Sequence, residues 1–93
     1  MKFDWDEEKN KLNLLKHKIT FEEASTVFND ENSVMLFDEN HSEDEERFYI
    51  LGLDLYFREL IVCHCYRKDD IIRIISAWKA SEKEIKMYWR NKL

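Results

Sequence analysis

Five side chains in the second half of this chain are of types that move protons or hold phosphate: His64, Arg67, Arg73, Lys79 and Tyr88. A histidine or tyrosine can accept and return a proton, while arginine and lysine stabilise negative charge developing on phosphate oxygens. Neither a nucleophile triad nor a metal-ligand set accompanies them. The group therefore suits cleavage of an RNA phosphodiester by its own 2′-hydroxyl, in which a base takes the hydroxyl proton and an acid protonates the leaving 5′-oxygen. That scheme needs no cofactor and no metal. Glu46 is a further candidate for proton transfer. Each residue also has a plainer role: a lone strand histidine is more often a hydrogen-bonded structural residue, and an arginine among isoleucines can snorkel at a sheet edge or pair with a carboxylate. The functional reading rests on the five lying on neighbouring elements that can converge on one sheet face or edge.

Further along, Lys79, Lys83, Lys86 and Arg90 are spaced four, three and four, a basic line on one face of a helix, which a solvated surface would also explain. Trp78 stands beside Lys79 and can stack on an exposed base. Lys83, Lys86, Arg90 and Trp78 are thus candidate RNA contacts. The net charge of -5 argues against a simple nucleic-acid binder, but the charge is unevenly spread. Residues 1–59 hold 7 Lys/Arg against 16 Asp/Glu, and residues 60–93 hold 8 against 4, which places a polyanion-facing surface in the C-terminal part.

The elements that would position these groups follow from patterning. Lys2 to Trp5 alternates as a short strand. Asp6 caps a mostly surface helix running to about His17, and Thr20 with Glu23 forms a capping box for a second helix to about Asn29. Ser33 to Phe37, Glu46 to Leu53, Phe57 to Tyr66 and Ile71 to Ala77 read as strands. Asp38 to Asp44 is an acidic loop, Gly52 to Leu55 a turn region, and Lys68-Asp69-Asp70 a tight turn closing a hairpin. Ser81 and Glu84 form another capping box that opens a last helix to about Asn91. The order β-α-α-β-β-β-β-α predicts an α+β fold, a small antiparallel sheet of about four to five strands with two N-terminal helices and one C-terminal helix. Period-two alternation groups Val62, His64 and Tyr66 on one face. It sets Ile71, Arg73, Ile75 and Ala77 against Ile72, Ile74 and Ser76.

Length and composition set bounds. The 93 residues suit one domain over 1–93. A hydrophobic share of 44% supports a core. A single glycine and no proline exclude Gly-rich phosphate loops. No apolar stretch is long enough to span a membrane, and the N-terminus lacks a signal-peptide layout. Cys63 and Cys65 flank His64 at a spacing poor for zinc and strained for a disulfide, so both read as buried thiols of a cytoplasmic protein.

Read together, these stretches resemble the BrnT family of type II toxins. The resemblance is carried by Phe3-Asp4-Trp5-Asp6 with Lys9 and Asn13, by Lys16-His17, and by Phe21-Glu22-Glu23-Ala24. It continues through His41-Ser42, Glu45-Glu46-Arg47-Phe48, Gly52, Arg67, Ile72-Arg73-Ile74-Ile75-Ser76-Ala77, Lys79-Ala80, Glu84 and Tyr88. It implies a RelE-like fold and a ribonuclease that cleaves mRNA and halts growth. It also implies neutralisation by a BrnA-like antitoxin with a ribbon-helix-helix domain, the pair binding its promoter DNA through the antitoxin. Arg67, Arg73 and Lys79 match basic positions of the family, and Tyr88 matches a tyrosine late in the last helix. Trp78 departs from the pattern, standing where the family usually has arginine. A tryptophan cannot donate charge-assisted hydrogen bonds to phosphate, so a second reading is a weakened or inactive relative that keeps antitoxin binding and autoregulation.

Overall fold

The computed structural model describes residues 1–38 and 46–92. In chain order these form β1 (Lys2–Asp4), α1 (Glu7–His17), α2 (Phe21–Ser25) running into a 3-10 turn over Thr26–Asn29, β2 (Val34–Asp38), β3 (Arg47–Leu53), β4 (Glu59–Arg67), a 3-10 turn over Lys68–Asp70, β5 (Ile71–Lys79) and α3 (Glu82–Lys92). The expected order of elements is the observed one.

Local chemistry sets the ends. Asp6 accepts from the amides of Glu8 and Lys9 at the start of α1, and Lys18, at φ 63°, closes it with its own N–H on the Leu14 carbonyl. Both capping boxes form: Thr20 with Glu23, and Ser81 with Glu84, each pair exchanging side-chain and backbone bonds. The turn expected over Gly52–Leu55 comes later, because Gly52 and Leu53 still belong to β3. Asp54 instead accepts from the amides of Tyr56 and Arg58. The acidic loop expected over 38–44 falls outside the described residues except for Asp38, which ends β2.

The five strands lie in the order β1-β5-β4-β3-β2. Pairing is antiparallel except at one edge, where β1 runs parallel to β5 with Asp4 opposite Arg73. The antiparallel sheet expected is formed by β2 to β5, with the short β1 added in parallel at its edge. Three residues of strand carry no local signal of pairing direction.

A bulge decides the two faces. Cys63 lies opposite Ser76, but the next residue, His64, lies opposite Ile74, which leaves Ile75 as the extra residue. Strict alternation would separate Ala77 from Ile74. The bulge instead returns Ala77 to the side of Ile74, where both join Ile50, Leu60 and Val62 beneath Phe21, Ala24 and Val27 of the N-terminal helices. On the opposite face, Leu51 and Ile61 pack with Tyr88 of α3, bordered by Tyr49, Trp78 and Met87. Gly52 is required by close approach, since a Cβ there would meet Asp30 Oδ2 at 2.9 Å. Among the described residues no helix is long and apolar enough to cross a membrane.

Candidate functional site

The α3 face of the sheet is apolar at the end that α3 covers and cationic at the other. Arg47 stands two residues before Tyr49, and Arg67 two after Cys65, while Arg73 lies opposite Cys65. Period two therefore puts all three arginines on the same side as Tyr49 and Cys63. They line a cavity of about 130 Å³ together with Asp6 and Lys9 from the start of α1 and Ile74 and Ile75 at the bulge. The bulge thus sits at the cavity wall. Asp4, next to Arg73 across the parallel edge, approaches its Nη1 to 3.3 Å without hydrogen-bonding geometry, and its Oδ1 is buried. Three arginines and a lysine thus line one small space together with a single carboxylate, Asp6, and this excess of donors suits a multi-oxygen anion. Among the described residues no cluster of three or more His, Cys, Asp or Glu side chains is placed to hold a metal ion.

The residues expected from sequence divide into groups. Arg67 and Arg73 meet in this cavity. His64 does not join them: it is fully buried on the other face, ringed by Phe28, Phe48 and Tyr66. Its Nδ1 lies 3.0 Å from the Val62 carbonyl, which fixes Nδ1 as the protonated nitrogen, and burial holds its pKa below the ordinary histidine value. Tyr88 is also fully buried, beneath α3, and donates its hydroxyl to Asp30 Oδ2 at 2.7 Å. Burial first, and that carboxylate second, push its pKa up to about 12. The same Asp30 oxygen accepts from Leu53 N, so Tyr88 fastens α3 to β3. Neither side chain is placed to exchange a proton in the arginine cavity.

Lys79 is exposed at the far end of β5, six residues beyond Arg73, or about 20 Å along a strand. It borders a separate groove with Phe57, Glu59, Ala80 and Ile85. Lys83, Lys86 and Arg90 are exposed on α3, and helical spacing puts them opposite the buried Tyr88. Trp78 is half-buried against the α3 core, with Tyr49 edge-on at 5.8 Å and His17 at 6.4 Å. Its ring packs edge-on against Tyr49 on the α3 side of the sheet. Both cysteines are buried thiols outside any disulfide, as expected.

Sequence reasoning about the site missed Arg47, Lys9 and Asp6. Each comes from an element remote in sequence from β5, and alternation within one strand cannot reveal such a meeting. A signal did exist, because all three lie in the stretches that carry the family resemblance.

The model for "Ribonuclease toxin, BrnT, of type II toxin-antitoxin system" matches residues 5–84. The chain belongs to the BrnT family. That match includes every residue lining the arginine cavity and stops short of Tyr88 and Arg90. The fold agrees: a crystal structure of the Brucella abortus ribonuclease toxin BrnT superposes with a TM-score of 0.67 at 20% identity, covering 88% of this chain and 99% of that one. No curated protein matches the sequence. As a BrnT family member the chain falls among ribonuclease toxins of type II toxin-antitoxin systems, whose members have an RNA substrate and an antitoxin partner.

Proposed function

We propose that this protein is a metal-independent endoribonuclease that cleaves mRNA at the cavity formed by Lys9, Arg47, Arg67 and Arg73. The observation that carries the reading is the convergence of these four cations, drawn from three strands and a helix, around a space of phosphate size in a chain that is acidic overall. The scissile phosphate enters between the arginines. They bind its non-bridging oxygens and stabilise the added negative charge as the 2′-oxygen attacks phosphorus and the bond to the 5′-oxygen breaks, that oxygen leaving with a proton taken from water. The residues supply that charge stabilisation themselves, so no step needs a metal. Asp6 is the carboxylate lining the cavity, and we assign it as acceptor of the 2′-hydroxyl proton. Its Oδ1 is occupied by the Glu8 and Lys9 amides of the helix cap, which also fixes its position.

Growth arrest would follow from loss of mRNA in the cytoplasm, and a BrnA-like antitoxin would restrain it and carry the complex to its promoter. The test is purified protein on a defined mRNA, with and without EDTA. Cleavage that survives EDTA and yields 2′,3′-cyclic phosphate ends is expected, and intact RNA at high protein concentration would overturn the reading. Asp6→Asn keeps a good helix cap. It is expected to slow cleavage about 100-fold, within the usual range for a lost general base.

The second reading, an inactive relative retained for antitoxin binding, is favoured by Trp78. The position that usually carries arginine here serves packing. That reading predicts a stable antitoxin complex and no cleavage under any condition.

A further inference from the structure

We propose that the outer face of α1, with the turn over residues 54–58, docks an acidic amphipathic segment of the antitoxin. The identity of that partner rests on the toxin-antitoxin reading; the shape and charge of the surface do not. Helix α1 is inverted relative to an ordinary surface helix. Its inward residues are polar and hydrogen-bonded: Asn10 Oδ1 accepts from Phe21 N, and the buried Asn13 bonds both Ala77 N and Ala77 O as well as Ile19 O. Its leucines face water. Leu12 and Leu15, three apart and therefore adjacent on the helix, are 63% and 70% exposed. An amphipathic helix ordinarily buries such a pair.

The turn repeats the pattern. Leu55, Tyr56 and Phe57 are all exposed, Phe57 by 79%, and Phe57 sits at φ 62°, a conformation that a bulky residue rarely adopts. Strain of this kind persists only where the surroundings impose it, and here they do. Asp54, buried, accepts from Tyr56 N, Arg58 N and both Nε and Nη2 of Arg58, and Leu55 N donates to Thr26 Oγ1. Arg58 Nη1 also donates to the Lys18 carbonyl, which brings the turn to the C-terminal end of α1. Two groups of large apolar side chains are thus exposed, one on α1 and one on a hydrogen-bonded turn tied to Lys18, just past the end of that helix.

Charge selects the occupant. Leaving aside Lys9, which lines the arginine cavity, residues 7–18 carry three lysines, Lys11, Lys16 and Lys18, against Glu7 and Glu8, within a protein of net charge -5. Lys11 reaches Glu8 only at 3.8 Å, with both exposed. The fitting partner has an apolar centre and an acidic rim. A second copy of this chain fits poorly, because a two-fold contact through α1 would set lysines against lysines.

The test titrates the purified chain with the purified product of the adjacent antitoxin gene. Leu12→Ser/Leu15→Ser and, separately, Phe57→Gly are each expected to weaken binding at least 10-fold. Glycine relieves the positive φ, so the second variant keeps its fold. Both variants retain wild-type RNA cleavage. Arg73→Ala should bind as wild type does, so a failure of the cleavage reading leaves this surface untouched. Absence of a wild-type complex, affinities unchanged within twofold in both variants, or a homodimer that Leu12→Ser/Leu15→Ser dissociates would each overturn the proposal.

Discussion

Single side chains in this protein owe their roles to what surrounds them. His64 and Tyr88 are the obvious acid–base types, yet both are buried and bonded to groups that hold the fold. For Tyr88 the partner is Asp30, which also receives Leu53 N. Tyr88→Phe should cost about 1.5–3 kcal/mol in urea unfolding, the usual worth of one hydrogen bond to a charged group, while leaving RNA cleavage unchanged. His64 makes a pH prediction. Its folded pKa lies below the ordinary value because burial disfavours the charged ring. Above about pH 6.5 both folded and unfolded states carry it neutral. As pH falls through that value the unfolded chain takes up a proton first, so stability is lost on acidification. Melting temperatures read between pH 7.5 and 5 should fall less steeply for His64→Gln than for wild type. Equal slopes would contradict the assignment of His64 as a buried neutral group.

At the scale of elements, most boundaries were legible because they are written locally. The Asp6 cap, the Thr20–Glu23 and Ser81–Glu84 boxes and the Lys68–Asp70 turn each depend on a few consecutive residues. Pairings between distant segments were not legible. Nothing near Lys2–Asp4 tells that this strand will run parallel to β5. Nor does anything in the Ile-rich run of β5 mark Ile75 as the bulged residue, although that bulge decides the sides taken by Ala77 and Trp78. Helix α1 shows a related difficulty. Its leucines look like a core stripe, while the residue that anchors it is Asn13, whose amide substitutes for a neighbouring strand by bonding Ala77 N and Ala77 O. Asn13→Ala leaves those groups and the Ile19 carbonyl unsatisfied and should cost on the order of 3 kcal/mol. Leu12→Ala on the outer face should cost almost nothing. Chemical denaturation of the two variants side by side checks the inversion.

Over the whole molecule, acidity and RNA chemistry are reconciled by distribution. The net charge is -5, but Lys9, Arg47, Arg67 and Arg73 line one cavity, while Lys11 and Lys16 share α1 with the separate exposed pair Leu12 and Leu15. The C-terminal excess of positive charge was visible in sequence and suggested a basic strip on α3. The fold instead recruits Lys9 and Arg47 from the acidic N-terminal part and leaves Lys79 at the opposite end of β5. The central claim is that cleavage belongs to the arginine cavity and not to the buried histidine and tyrosine. The most direct measurement is the single-turnover cleavage rate of one RNA by wild type, Arg73→Ala and Tyr88→Phe under the same conditions. A loss of 100- to 1,000-fold in Arg73→Ala, about the effect of removing one charge-stabilising donor, with Tyr88→Phe at the wild-type rate, is the predicted result. An unchanged rate in Arg73→Ala, or a comparable collapse in a folded Tyr88→Phe, would contradict it.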